Sequence, residues 1–100
     1  MIRGLRSFGT VFYDHRVIVV FGGIAEHRLI DTIYYLDIGG EDGWKESEMK
    51  CPKPGMCNAV LMGDTVHLLP YYAWNDHYSA PIAHILPREL LRDANVRCVV

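Results

Sequence analysis

Apolar positions in this chain fall into short runs, each closed by a turn signal. Residues 10–13 (Thr-Val-Phe-Tyr) are β-branched and aromatic, and the polar turn Asp14-His15-Arg16 follows them. Residues 16–21 form a continuous β-branched run, the pattern of a strand covered on both faces. Gly22-Gly23 ends that run, and glycine permits backbone angles that a Cβ forbids. A mixed connection (24–30) leads to a further strand (31–38). A turn with three glycines (39–43) then leads to a short fourth strand (44–47). Strands this closely spaced predict an antiparallel meander, because parallel neighbours need crossovers of a dozen or more residues.

Pro52, Pro54 and Gly55 interrupt the series, which then restarts. Residues 58–62 and 65–69 read as strands around the turn signal Gly63-Asp64, and the second stops at Pro70. An aromatic-rich loop (71–79) follows. The next strand-like stretch is 80–86, with an apolar run over 82–86. Residues 87–93 read as a helical turn, since proline suits a first helical position. Residues 97–100 look strand-like but have no evident place. The two series align at an offset of 49: Val11 meets Val60, Val17 meets Val66, Val19 meets Leu68, Ile33 meets Ile82 and Leu36 meets Ile85. A period near 50 with about four strands per unit is the size of a kelch-type propeller blade.

The residues carry that resemblance further. Val17-Ile18-Val19-Val20-Phe21-Gly22-Gly23, then Asp31-Thr32-Ile33-Tyr34-Tyr35-Leu36-Asp37, then Trp44, resembles one kelch repeat. That family has a double glycine after an apolar strand, a Tyr in the next strand and a Trp in the last. The second unit departs from the pattern. Tyr71-Tyr72 replace the double glycine, and Asp93 stands where the offset expects Trp. The resemblance implies an all-β fold of two antiparallel blades, each of three or four strands. The first blade spans 10–50 and the second, degenerate one 58–93, within a single domain (1–100) that is a partial or open β-propeller. Closed propellers use about four to eight blades. Two blades alone leave blade faces uncovered and strand edges unpaired. Either a longer propeller or self-association of several copies would cover them.

Composition narrows the function classes. Half the residues are hydrophobic and 22% are charged, which excludes a disordered tail. Ten basic against twelve acidic side chains leave a net charge of −2, so no basic excess draws the chain onto nucleic acid. No apolar run reaches the ~20 residues of a membrane-spanning helix, and no signal-peptide core appears near the start; a cytoplasmic protein is expected. Cys51, Cys57 and Cys98 are odd in number and fit reduced thiols better than a disulfide framework.

Chemistry is sparse. Five histidines show no recognised ligand spacing, so no metal and no cofactor is expected. His67 alternates with apolar neighbours and reads as a core or sheet-face histidine. Asp76, His77 and Ser79 have the residue types of a hydrolase triad, but triads are defined by geometry, and three such residues in one loop read as polar loop residues. No Gly-x-Ser-x-Gly elbow or phosphate-binding glycine loop is present. Galactose-oxidase enzymes share kelch-like blades and build a copper centre from Tyr, His and Cys across several of them; Tyr and His occur here, but no assignment of ligands follows from them. The stronger candidate is the aromatic loop Tyr71, Tyr72, Trp74, Asn75, Asp76, His77 and Tyr78. Tyr and Trp are enriched in binding hot spots, though the same rings could instead tuck back onto the second blade. The corresponding connection of the first unit carries His27 and Arg28. The resemblance implies a non-catalytic protein-interaction module binding a protein partner through blade-edge loops. The alternatives are a fragment of a metal-dependent propeller enzyme and a structural segment of a longer propeller.

Overall fold

A computed structural model describes residues 4–70 and 77–91 of the chain. The fold is all-β. Strands β1 (Gly9–Tyr13) and β2 (Val17–Phe21) are followed by a small ribbon of β3 (Ile24–Ala25) and β4 (Arg28–Leu29), then by β5 (Thr32–Asp37) and β6 (Trp44–Lys50). The four longer strands form one antiparallel meander in the order β1-β2-β5-β6. A second meander follows: β7 (Cys57–Met62), β8 (Thr65–Pro70) and β9 (Tyr78–Pro81), in that order. Among the described residues this second sheet has three strands. No helix among them is long and apolar enough to cross a membrane.

Residues 82–86 do not continue a strand. Ile82–His84 is a turn of 3-10 helix that begins where Pro81 is still extended, and a second such turn covers Arg88–Leu90. Ile82, Ile85 and Leu86 are buried while Ala83 and His84 are exposed. That i, i+3, i+4 spacing is helical, and the apolar run alone does not distinguish it from a strand. The pairings of Ile33 with Ile82 and of Leu36 with Ile85 are therefore wrong. Tyr78 and Ser79, expected in a loop, form the start of the third strand instead.

The offset of 49 also needs one correction. Three residues link β1 to β2, with Tyr13 opposite Val17, but only Gly63 and Asp64 link β7 to β8, with Met62 opposite Thr65. The Ile38–Arg16 and Gly22–Thr32 backbone bonds turn the even-numbered positions along β2 toward β5, so Val17 and Val19 are the positions bonded toward β1, with the Tyr13 carbonyl accepting from Arg16 inside the loop. In the two-residue hairpin of β7 and β8 the closing pair, Met62 and Thr65, is a bonded one. Superposing bonded pairs on bonded pairs keeps Val11 over Val60 but moves Val17 onto Thr65 and Val19 onto His67. A slip of one residue exchanges the two faces of a strand. Val66 and Leu68 consequently face the first sheet, and His67 and Leu69 face away.

This register fixes how the sheets stack. On the first sheet the bonded pairs, Val11/Val19 and Tyr13/Val17, are buried in the common core. On the second sheet the core receives the non-bonded pairs instead, Ala59/Leu68 and Leu61/Val66. Opposite faces of two similar meanders therefore meet, and the sheets stack head to tail. Their first strands lie side by side: a Cβ on Gly9 would come within 3.0 Å of the Ala59 Cβ. The linker between the sheets is itself hydrogen bonded to the first one. Gly23 N–H donates to the Gly55 carbonyl at 2.8 Å, Gly55 N–H to Ile30 at 2.9 Å and Cys51 N–H to Asp31 at 2.8 Å. Gly22 has φ +64, and a Cβ there would sit 2.6 Å from the Gly55 carbonyl oxygen, so the double glycine serves a turn and a close approach together.

Candidate functional site

The connections from second to third strand leave both sheets at one rim. The Cys57 thiol donates to the Phe21 carbonyl at 3.4 Å, which places the end of β2 beside the start of β7. Cys57 in turn lies opposite Pro70, the last residue of β8. The chain therefore departs for β5 and for β9 from the same edge of the stack.

The first connection is folded into the β3–β4 ribbon, whose tip residues Glu26 and His27 have φ of 52° and 63°. Two successive left-handed residues are the signature of a type I′ hairpin turn. The turn holds Glu26, His27, Arg28 and Leu29 in solvent, and Leu29 is 59% exposed. Below the tip, Ile24 exchanges two backbone hydrogen bonds with Arg6, at 2.8 and 3.0 Å, which anchors the base of the ribbon. An exposed cation, an imidazole and an apolar side chain thus share one projection.

Of the second connection, Tyr71, Tyr72, Trp74, Asn75 and Asp76 lie outside the described residues. Its far end is fixed by a contact the sequence does not reveal. His67 Nδ1 and His77 Nε2 are 2.8 Å apart, with ring centroids 5.0 Å apart and planes tilted by 32°. One ring donates and the other accepts, and a doubly protonated pair would have no acceptor between them. His77 is thereby tied to the outer face of β8. Tyr78, half-buried, faces the space between the sheets with Phe21, Ile33 and Leu68, so it packs inward, away from the side occupied by His77.

The opposite rim carries a charged cleft of about 210 Å³ lined by Arg16, Asp37, Asp42, Lys45 and Glu89. Arg16 grips Asp37 with two parallel bonds, Nε to Oδ1 and Nη2 to Oδ2, each 2.9 Å. The guanidinium bonds hold the Asp37 carboxyl below its ordinary range. Lys45 lies 3.1 Å from Asp42, and that hydrogen bond raises its pKa. Arg16 is thus paired with Asp37 and Lys45 with Asp42.

Cys51 and Cys57 are free and buried. Burial pushes the Cys51 thiol up to about 12 and raises that of Cys57 as well, the opposite of what a reactive thiolate needs. No group of three or more metal-ligating side chains occurs among the described residues. No family model, curated protein or solved structure matches the chain.

Proposed function

We propose that the chain is a non-catalytic protein-interaction module of kelch type, which holds a partner protein with loops on one rim. One observation carries this reading: both second-to-third-strand connections leave from the same edge, and the one described presents Glu26 to Leu29 on a hairpin. Loops held on a fixed scaffold are the usual site of recognition. The kelch assignment rests on the double glycine, Tyr34 and Trp44 in order, and is supported by head-to-tail stacking of two meanders with adjacent first strands. Trp74 and the tyrosines beside it would supply apolar anchors, and Arg28 a polar one.

The test is capture of partners from cell extract by the immobilised chain, read by mass spectrometry. Arg28→Glu and Trp74→Ala should each lose the captured protein. His15→Ala, on the opposite rim, should retain it. Equal capture by all three variants would remove the assignment of this rim.

A further inference from the structure

We propose that His67 and His77 form a two-imidazole site for a divalent transition-metal ion of tetragonal preference, nickel or copper, on the outer face of the second sheet. The inference rests on the sheet register and does not depend on the kelch reading or on the interaction rim.

The register builds the pair. His67 lies in the middle of β8, opposite Val60 on β7 and Ser79 on β9. It turns to the outer face because Val66 and Leu68, on either side of it, turn to the core. His77 directly precedes β9, whose first residue, Tyr78, lies opposite Leu68. The two histidines are ten positions apart, a spacing that belongs to no short ligand motif. Pairing of β8 with β9 nonetheless brings His67 Nδ1 to 2.8 Å from His77 Nε2, in a contact open to solvent.

That separation is the bite of a chelate. Two adjacent nitrogens of a square-planar centre with bonds of about 2.0 Å lie about 2.8 Å apart, and those of a tetrahedral centre about 3.3 Å apart. Nickel and copper therefore need a smaller adjustment than zinc. The ring centroids are 5.0 Å apart, with the nitrogens facing one another. Each ring must turn until its lone pair points at a common apex. The proton between the rings moves to the other nitrogen of the donating ring. Both contact nitrogens then carry lone pairs, and the neutral pair takes the ion without losing a proton. Water completes the coordination.

The surroundings leave the pair without a rival. Strands β7, β8 and β9 contain no Asp, Glu, Lys or Arg. No cation on these strands repels the ion, and no carboxylate on them competes for it. Cys57, at the start of β7, is buried, and burial keeps its thiol protonated. Among the described residues, His15, His27 and His84 make no contact with another imidazole. A bound ion ties β8 to the entry of β9 and stabilises the second meander by mass action.

Titration calorimetry of the wild-type chain with nickel chloride, near neutral pH, should show one site. His67→Ala and His77→Ala should each weaken it by about tenfold or more, and His84→Ala should leave it unchanged. At about pH 5 the site should be lost, because the imidazoles are then protonated. In the wild-type chain, nickel below one equivalent should broaden the imidazole resonances of His67 and His77 and spare those of the other three histidines. Absence of binding by the wild type overturns the proposal. So does equal binding by either histidine variant, broadening spread over all five histidines, binding retained at the lower pH, or zinc held more tightly than nickel.

Discussion

Ser47 Oγ, on the last strand of the first sheet, donates a 2.6 Å hydrogen bond to the carbonyl oxygen of Ile85, in the turn that follows the last strand of the second. Ser47 Oγ also accepts from the Met49 N–H at 3.1 Å. Ser47 is the one buried polar residue among those described. Its hydroxyl therefore joins the two sheets at the side remote from the β1–β7 contact.

Ser47→Ala should remove that link and leave the Ile85 carbonyl without its donor. A buried polar group left unpaired costs about 1–3 kcal/mol. Urea unfolding should show the midpoint falling with the slope unchanged. A midpoint equal to wild type would mean that water replaces the hydroxyl.

Two glycines of similar φ should respond differently to alanine. At Gly43 (φ +76) an added Cβ meets nothing within 4 Å, so Gly43→Ala should cost only the left-handed backbone penalty, about 1–2 kcal/mol. At Gly22 (φ +64) the Cβ would lie 2.6 Å from the Gly55 carbonyl oxygen. Gly22→Ala should therefore cost distinctly more, since the linker must move as well. Thermal unfolding of the pair measures the difference.

Arg16→Gln should raise the Asp37 pKa toward its ordinary value, as followed by carboxyl NMR titration. Asp37 is held below the unfolded-state value chiefly by the Arg16 hydrogen bonds. The stabilisation it brings is thus fully present above the ordinary carboxylate range and lost as pH falls through the folded pKa. Both groups are exposed, so the contribution is small and should shrink further with added salt.

Cys51 sets an alkaline limit. Its thiol is raised from 9.0 to about 12 in the folded chain, first by burial. Between those values the unfolded chain loses the thiol proton while the folded chain keeps it. Stability is therefore intact below pH 9 and declines above it, by about 1.4 kcal/mol per pH unit for one such group. The comparison is with Cys51→Ala, whose stability should fall less steeply over that range. At pH 8, alkylation of the folded wild type should be slow and should become fast on unfolding.

The first sheet was legible because its signals agree at every level. Val17 to Phe21 is an uninterrupted apolar run closed by two glycines, and Asp42-Gly43 precedes the last strand. The second sheet was harder to read for physical reasons. Its first hairpin is one residue shorter, so a constant offset places Val66 on Val17 when Thr65 belongs there. Tyr78 and Ser79 follow a loop composition without a break, which hid the start of β9. The β3–β4 ribbon was invisible because Glu26 and His27 are not the glycine or asparagine that a type I′ turn favours. The His67–His77 contact joins residues ten apart and exists only once β8 and the start of β9 are in place.

The hydrogen bonds along the 51–55 linker determine how the molecule would yield under load. Gly23, Ile30 and Asp31 bond to the linker as a neighbouring strand would, so no slack tether separates the halves. A force drawing the two sheets apart must shear these bonds before either sheet can swing. Pulling from the chain ends should therefore give a single rupture event, where a loosely joined pair would give two.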